Sequence, residues 1–336
     1  MKQTYRLSNF RTFVRFGLYL LLCLSACTNE APKKSELTPP QTATSELTSQ
    51  PIPVQAVEHS SLKSDTSSNG TKAKSADPEY NFSSSNVYSV KLPEELAEIS
   101  GLTCSPDGRL FTHDDEVGKI YELDPNEGNI VKYWKLGPKT VKEDFEGIAF
   151  CRGIFYLTNS SGKIYRFSEG AQGENVTYTT FDSGLSDKNN VEGMCYDAAS
   201  NSLLLACKDD PGNGIENSRA IYRVDLPLGS ADTKLYLSLA LADLTHLNSN
   251  SEFRPSGIEI HPETGSLYVI AARGNSIAVL RSDGGIKSQS ELPKELHTQP
   301  EGITITNKGT VYISNEGAGG RATLYRFEPG STDLSR

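Results

Sequence analysis

Long hydrophobic runs are nearly absent from this 336-residue chain. The longest, FGLYLLLCLSA at residues 16–26, has eleven residues. A helix that crosses a bilayer needs about 20. The run therefore reads as the apolar part of an export signal and not as a membrane span. Cysteine is scarce as well. Of the six, Cys23 and Cys27 lie at this end. The remaining four are too few to staple a body of this length. The five histidines are scattered, and no Cys/His cluster has zinc-ligand spacing. Positive charge is in the minority, with 33 Lys and Arg against 42 Asp and Glu and a net charge of −9. Residues 1–26 hold Lys2, Arg6, Arg11 and Arg15 and no acid, so the rest carries −9 − 4 = −13. A surface that acidic repels phosphate backbones, which excludes nucleic acid as a partner. There is also no nucleophile elbow and no Ser-His-Asp signature.

The apolar run ends in Leu24-Ser25-Ala26-Cys27, which resembles a bacterial lipobox. The resemblance implies that Cys27 becomes the acylated N-terminus and that the lipid membrane is a partner. Thr28 stands where an inner-membrane retention signal typically has Asp. Outer-membrane anchoring facing the periplasm is the expectation. Residues 28–86 then hold 12 Ser, 7 Thr and 6 Pro among 59 positions, with Tyr80 and Phe82 the only aromatics. Such a composition cannot bury enough apolar surface to offset its ordering entropy. The chain thus divides into a signal peptide at 1–26, a disordered tether at 27–86 and a folded domain at 87–336.

The folded part is repetitive. One signature recurs as Ile99-Ser100-Gly101-Leu102, Phe145-Glu146-Gly147-Ile148, Val191-Glu192-Gly193-Met194, Pro255-Ser256-Gly257-Ile258 and Pro300-Glu301-Gly302-Ile303. The glycines are 46, 46, 64 and 45 residues apart. Each signature opens a strand, a tight turn such as Pro106-Asp107-Gly108, a second strand such as Leu267-Tyr268-Val269, and a third that carries an aromatic. A more polar fourth follows, as in Val131-Lys132-Tyr133-Trp134, Val176-Thr177-Tyr178 and Leu235-Tyr236-Leu237. Four strands per ~45 residues is the arithmetic of a β-propeller blade. The expected fold is all-β, with five blades. A sixth blade in the 64-residue interval is the alternative to reading Pro211–Ser218 as an insertion and Ala242–Phe253 as a connector. The fifth unit runs out after its third strand. The strand from Val87 to Leu92 is expected to complete it and close the ring. Leu92-Pro93-Glu94-Glu95-Leu96 before the first signature echoes Leu292-Pro293-Lys294-Glu295-Leu296 before the last.

These repeats, the segment Asp144-Phe145-Glu146-Gly147-Ile148 and the lipoprotein leader together resemble the bacterial SdiA-regulated family, distant relatives of NHL-repeat proteins. The resemblance spans residues 87–330. It implies a five-bladed propeller, a calcium ion in the channel region, a membrane-associated location and no established activity. Ala271-Ala272-Arg273 departs from the acidic pair usual in the fourth blade.

In a propeller the first strand of each blade lines the axis. Its start lies at the same mouth as the end of the antiparallel second strand. Ser100, Glu146, Glu192, Ser256 and Glu301 are therefore expected to ring one mouth. Asp114 and Asp115, Asn159, Lys208 and Asp209, and Asn315 and Glu316 are expected beside them. The repeated glycine fits a crowded axis. Three glutamates around a narrow axis need compensation: raised pKa values, a Lys or Arg partner, or a cation. The residues alone leave two readings open. In one, backbone N–H groups hold each Glu and Lys208 or Arg273 balances the charge. In the other, Glu146, Glu192 and Glu301 bind one Ca²⁺, with Asp114, Asn159 and Asn315 as direct or water-mediated ligands. Oxygen-only donors favour Ca²⁺ over Mg²⁺, and the family resemblance points the same way. Cys195 and Cys207 read either as a facing pair or as buried thiols. His113 and Trp134 read as packed residues. Two functions follow: a tethered module that binds an unidentified protein or small-molecule ligand, or a calcium-dependent lactonase or esterase. The lack of a nucleophile or a base beyond the channel acids favours binding.

Overall fold

The computed structural model describes residues 77–84, 87–212, 214–245 and 252–330. The chain divides into units 1–68 and 69–336. The first unit, with the leader and Cys27, lies outside the described residues.

Short runs of β-branched and aromatic residues alternate with turn-forming Gly, Asn and Asp, so strands stay short and reverse at once. The first hairpin shows the device. Gly108 N–H closes a turn on Ser105 O at 2.9 Å with φ +87°, a backbone that glycine adopts without strain. In blade 1, β2 (Ile99–Cys104), β3 (Leu110–Asp114), β4 (Lys119–Leu123) and β5 (Ile130–Leu136) lie side by side. Blade 2 holds β6 (Phe145–Cys151), β7 (Ile154–Asn159), β8 (Lys163–Ser168) and β10 (Tyr178–Asp182). Blade 3 is β11 (Val191–Asp197), β12 (Ser202–Cys207), β13 (Ser218–Asp225) and β14 (Lys234–Ala240). Blade 4 is β15 (Arg254–Ile260), β16 (Leu267–Arg273), β17 (Ser276–Leu280) and β18 (Ile286–Glu291).

Blade 5 has only three strands from the C-terminal end: β19 (Pro300–Ile305), β20 (Val311–Asn315) and β21 (Thr323–Phe327). Its fourth is β1 (Tyr88–Lys91), antiparallel to β21, with Tyr88 opposite Arg326 and Lys91 opposite Thr323. The ring is closed by the N-terminal strand, and there are five blades. The long interval between Gly193 and Gly257 holds the 208–217 loop and a connector that begins with α1 (Leu241–Leu244). The Leu-Pro echo has a structural counterpart. Leu96 N–H and Leu296 N–H both turn back to the preceding proline carbonyl, Pro93 O and Pro293 O, at 3.0 and 2.9 Å.

Two boundaries differ from the expectation. Blade 2's fourth strand is β10, whereas β9 (Asn175–Val176) adds a parallel fifth strand to blade 1. Residues 77–84, assigned to the tether by composition, lie on the propeller. Phe82 is buried among Leu292, Ile303 and Phe327. The Tyr80 hydroxyl donates to Gly309 O at 2.6 Å.

There is no single central core. Apolar side chains fill five clusters, one between each pair of neighbouring blades. Phe111 and Trp134 of blade 1 meet Phe145 and Phe155 of blade 2, and Leu102 and Tyr121 of blade 1 meet Tyr312 and Leu324 of blade 5. Each sheet is thus buried on both faces, which explains the dense apolar patterning of the inner strands.

The axis is crowded. A Cβ built on Gly147 would lie 2.7 Å from Met194 N, on Gly257 2.7 Å from Glu301 O, and on Gly302 2.6 Å from Ser100 O. In each case the next blade's backbone stands in the way, joined at Gly302 by Ser314 Oγ of the same blade at 2.5 Å. The repeated glycine is therefore required by blade-to-blade contact.

Candidate functional site

Each signature polar residue sits at an irregularity in the ladder between the first and second strands. Pairing jumps from Phe145 to Gly147, from Val191 to Gly193, from Pro255 to Gly257 and from Pro300 to Gly302. Glu146, Glu192, Ser256 and Glu301 are the residues skipped. Ser100 and Gly101 are skipped in blade 1. A bulge re-aims a side chain and commonly occurs at a barrel rim. Here it turns five equivalent side chains towards the axis. Glu146, Glu192, Ser256 and Glu301 line one narrow axial cavity with the signature glycines. That cavity holds only about 10 Å³, the room of one water at most.

The serine blades satisfy their hydroxyls on the next blade. Ser100 Oγ donates to Glu146 O at 2.9 Å, and Ser256 Oγ donates to Pro300 O at 2.5 Å. The glutamate blades do not close so neatly. Lys208 Nζ donates to Glu192 Oε1 at 2.7 Å, and Glu192 is 4% exposed. Burial works to lower the Lys208 pKa, and the charges of Glu192, Glu301 and Glu146 outweigh it and hold it above the ordinary value. Glu146 is pushed up to about 10 by burial first, then by Glu192, Asp144 and Glu301. Burial and Glu192 push Glu301 up to about 8 against the relief from Lys208. Neither Glu146 nor Glu301 has an ion pair within 4 Å among the described residues. One ammonium thus serves three carboxyl groups.

The second-strand ends separate into two sets. Four N–H groups make the same bond back to the residue before the signature: Asp115 to Glu98 O, Ser160 to Asp144 O, Lys208 to Asn190 O and Glu316 to Gln299 O. These residues are equivalent, and Asp115, Lys208 and Glu316 belong to the field of the ring. Asp115 is raised to about 6 by burial and the charges of Asp114 and Glu98. Glu316 is raised to about 7 by burial and by Glu98. Asp114, Asn159 and Asn315 are one residue earlier, and the first two turn to local tasks. Asp114 Oδ1 accepts the N–H groups of Glu116 and Val117 at 3.0 and 3.2 Å. Asn159 Oδ1 accepts Lys163 N–H at 2.8 Å and Ser161 Oγ at 2.9 Å, and its amide donates to Glu143. Asn315 is 2% exposed; its Nδ2 stands 3.5 Å from His297 Nδ1, and its buried Oδ1 has no hydrogen-bond partner among the described residues. Arg273 is exposed, and blade 4 contributes no acid here. Glu98 and Asp144, just before the signatures, were not singled out by the repeat. They stand 46 residues apart, the spacing of their signatures, and the fold brings their charge to the mouth.

Among the described residues no group of three or more His, Cys, Asp or Glu is drawn together as metal ligands. The donor chemistry nevertheless suits a hard cation. It is all oxygen, and one lysine stands against three carboxyl groups. His113 is fully buried. Its Nε2 accepts Gly101 N–H at 3.1 Å and its Nδ1 faces Asp114 O at 3.1 Å, which makes it a neutral packing residue with its pKa pushed down to about 4 by burial. Cys195 and Cys207 are free buried thiols, as are Cys151 and the partly buried Cys104. Cys195 pairs with Leu204, three residues from Cys207.

A closed five-bladed propeller with an acid-ringed axis defines the class of this protein. The family described as SdiA-regulated matches residues 79–327, and the chain belongs to it. No curated protein is similar enough to match. Among solved structures, the fold resembles the PQQ-bound aldose sugar dehydrogenase of Streptomyces coelicolor. Identity is 14% over 76% of this chain and 99% of that one, with a TM-score of 0.50. Glutaminyl cyclase of Myxococcus xanthus is 12% identical over 73% of this chain and 96% of its own, TM-score 0.48. The β-propeller domain of Myceliophteria thermophila Cps50 (Swd1) is 10% identical over 68% and 82%, TM-score 0.40. Identities this low speak for the fold alone.

Proposed function

We propose that this propeller is a lipid-anchored binding module of the cell envelope, that its acidic channel mouth is the binding face, and that Ca²⁺ is the ion of that mouth. The observation that carries the reading is the ring itself, in which three converging glutamates share one lysine. Glu146 and Glu301 would hold the ion, with Asp115 and Glu316 beside them. Glu192 stays with Lys208. Asp114 and Asn159 hold the loops behind, and Asn315 keeps an Oδ1, unpartnered among the described residues, as a direct or water-mediated ligand. A bound divalent cation supplies the missing positive charge and fixes the mouth for a partner. The anchor is Cys27, which places the module on the outer membrane facing the periplasm.

The test is a calcium titration of the full-length protein by scanning calorimetry. Ca²⁺ at 100 times its Kd adds about 2.7 kcal/mol of stability when only the folded state binds. Binding requires ionised carboxylates, so the stabilisation grows from pH 6 to pH 8.5. Glu146→Gln with Glu301→Gln abolishes the response. A melting temperature indifferent to Ca²⁺ at pH 8.5 refutes the ion. In a parallel arm, Cys27→Ser moves the protein out of the membrane fraction, and retention of a correctly processed variant refutes the anchor.

A further inference from the structure

The opposite end of the axis holds a cavity of about 520 Å³. It is lined at the far ends of the inner strands, by Cys104, Cys151, Asp197, Ile260 and Ile305, where β2, β6, β11, β15 and β19 finish. The glycine ring separates it from the acidic mouth. Its volume lies within the usual range for small-molecule sites, about 300–1,000 Å³.

Three aromatic side chains form its wall: Phe150, Tyr196 and Tyr236. Both tyrosine hydroxyls are committed elsewhere, Tyr196 to Asn201 Oδ1 and Tyr236 to Ser282 O, each at 3.0 Å. What they offer the cavity is ring. Glu259 is a part-buried carboxylate among these residues. Its Oε1 accepts Ile260 N–H at 2.9 Å and its Oε2 accepts the Thr304 hydroxyl at 3.0 Å. No Lys, Arg or His pairs with it among the described residues, so each oxygen keeps acceptor capacity for a ligand. Three charged groups stand around the opening: Arg152, Asp197 and Glu263. With Glu259 the site is net negative.

We propose that this cavity binds a small organic amine, its ammonium group on the Glu259 carboxylate and its apolar body against Phe150, Tyr196 and Tyr236. A carboxylate without a protein cation, walled by aromatic rings, is the complement of an ammonium ion on an apolar stem. Burial holds the Glu259 pKa at about 7, so near neutrality part of the population carries a proton there. An arriving ammonium ion expels it. Burial pushes the Cys104 thiol up to about 12 and the Cys195 thiol well above its ordinary value. His261, lowered by burial, has Nδ1 facing Glu263 N–H and Thr264 N–H and Nε2 facing the Tyr80 hydroxyl.

The test is calorimetric titration of the full-length protein, without added metal, with 4-phenylbutylamine and with the isosteric neutral alcohol 4-phenyl-1-butanol. The amine is expected to bind at least tenfold more tightly. Its heat at pH 7 is expected to differ between phosphate and Tris, which reports proton release. Glu259→Gln removes both the preference and the buffer dependence, and circular dichroism verifies that the variant folds. Equal affinity for amine and alcohol, or undiminished amine binding by folded Glu259→Gln, overturns the proposal. Absence of binding by either probe at millimolar concentration overturns it as well.

Discussion

Lys208 decides the electrostatics of the mouth. It occupies the position held by Asp115 in blade 1 and Glu316 in blade 5, as the shared N–H bond to the preceding blade segment shows. A third acid there would leave the ring with no cation at all. Removing one partner of a buried pair leaves the other charge uncompensated, which costs about 3 kcal/mol or more. Lys208→Met is therefore expected to lower stability by about 3 kcal/mol at pH 8. The sign of the pH dependence follows from Glu192. Burial raises its pKa in the folded state, and loss of Lys208 raises it further. A carboxyl with a raised folded pKa contributes stability below its unfolded pKa and loses it as pH rises through the folded value. The deficit should thus shrink as pH falls, because protonation of Glu192 removes the charge that Lys208 had balanced. Adding Glu192→Gln should restore most of the loss at pH 8. Urea melts of the three proteins at pH 5 and pH 8 decide it. A deficit equal at pH 5 and pH 8 would remove the ion pair from the explanation.

At the scale of strands, the repeat was readable because its period is enforced by packing. A glycine is needed wherever one inner strand touches the next blade's backbone, and five such contacts give five glycines in the sequence. The closing strand was readable for a similar reason, since an unfinished fifth unit leaves β21 with an open edge. The side-chain parity near the mouth was not. A bulge of one residue swaps the faces of everything beyond it, and no residue type marks the bulges at Glu146, Glu192 and Glu301. Asn159 and Asn315 therefore seemed as well placed as Asp115 and Glu316, which carry the mouth's charge. Glu259 was invisible for another reason. It belongs to no repeated motif, and only the fold places it in a cavity. The glycine argument makes its own prediction. Gly302→Ala puts a Cβ against Ser100 O at the blade 5–blade 1 contact, and overpacking of this kind costs about 1–3 kcal/mol. Gly320→Ala, whose Cβ meets nothing closer than 3.3 Å, is the control and should be within about 0.5 kcal/mol of the parent. Equal denaturant midpoints for the two variants would mean that the axis has slack.

A propeller without a central core depends on every blade contact, and the last contact to form is the one that shuts the ring. Here the closure has two parts. β1 pairs along β21, and Leu92 N–H bonds to Ala322 O at 2.9 Å while Arg321 Nε donates to Leu92 O at 2.7 Å. Ahead of it, Phe82 inserts between blades 4 and 5. Its ring lies 5.0 Å from that of Phe327 and 5.6 Å from that of Tyr80, which in turn meets Tyr268 at 6.1 Å. The segment thus acts as a latch on the strand that follows. The two parts are expected to fail differently. A chain that starts at Asp77 keeps both and should melt like the full-length protein. A chain that starts at Val87 keeps the pairing and loses Phe82. Loss of a buried phenylalanine costs about 3 kcal/mol, and for a domain of this size each kcal/mol is worth about 2–4 °C, so a drop of roughly 10 °C is expected. Phe82→Ala in the full-length protein should match it. A chain that starts at Glu94 loses β1 and bares the β21 edge, and should aggregate rather than melt reversibly. Thermal melts with light scattering on these four variants and the full-length protein separate these outcomes. If the Val87 chain melts with the Asp77 chain, the latch contributes nothing to closure. If the Glu94 chain stays monodisperse and cooperative, β1 is dispensable and the ring is held by its inner strands alone.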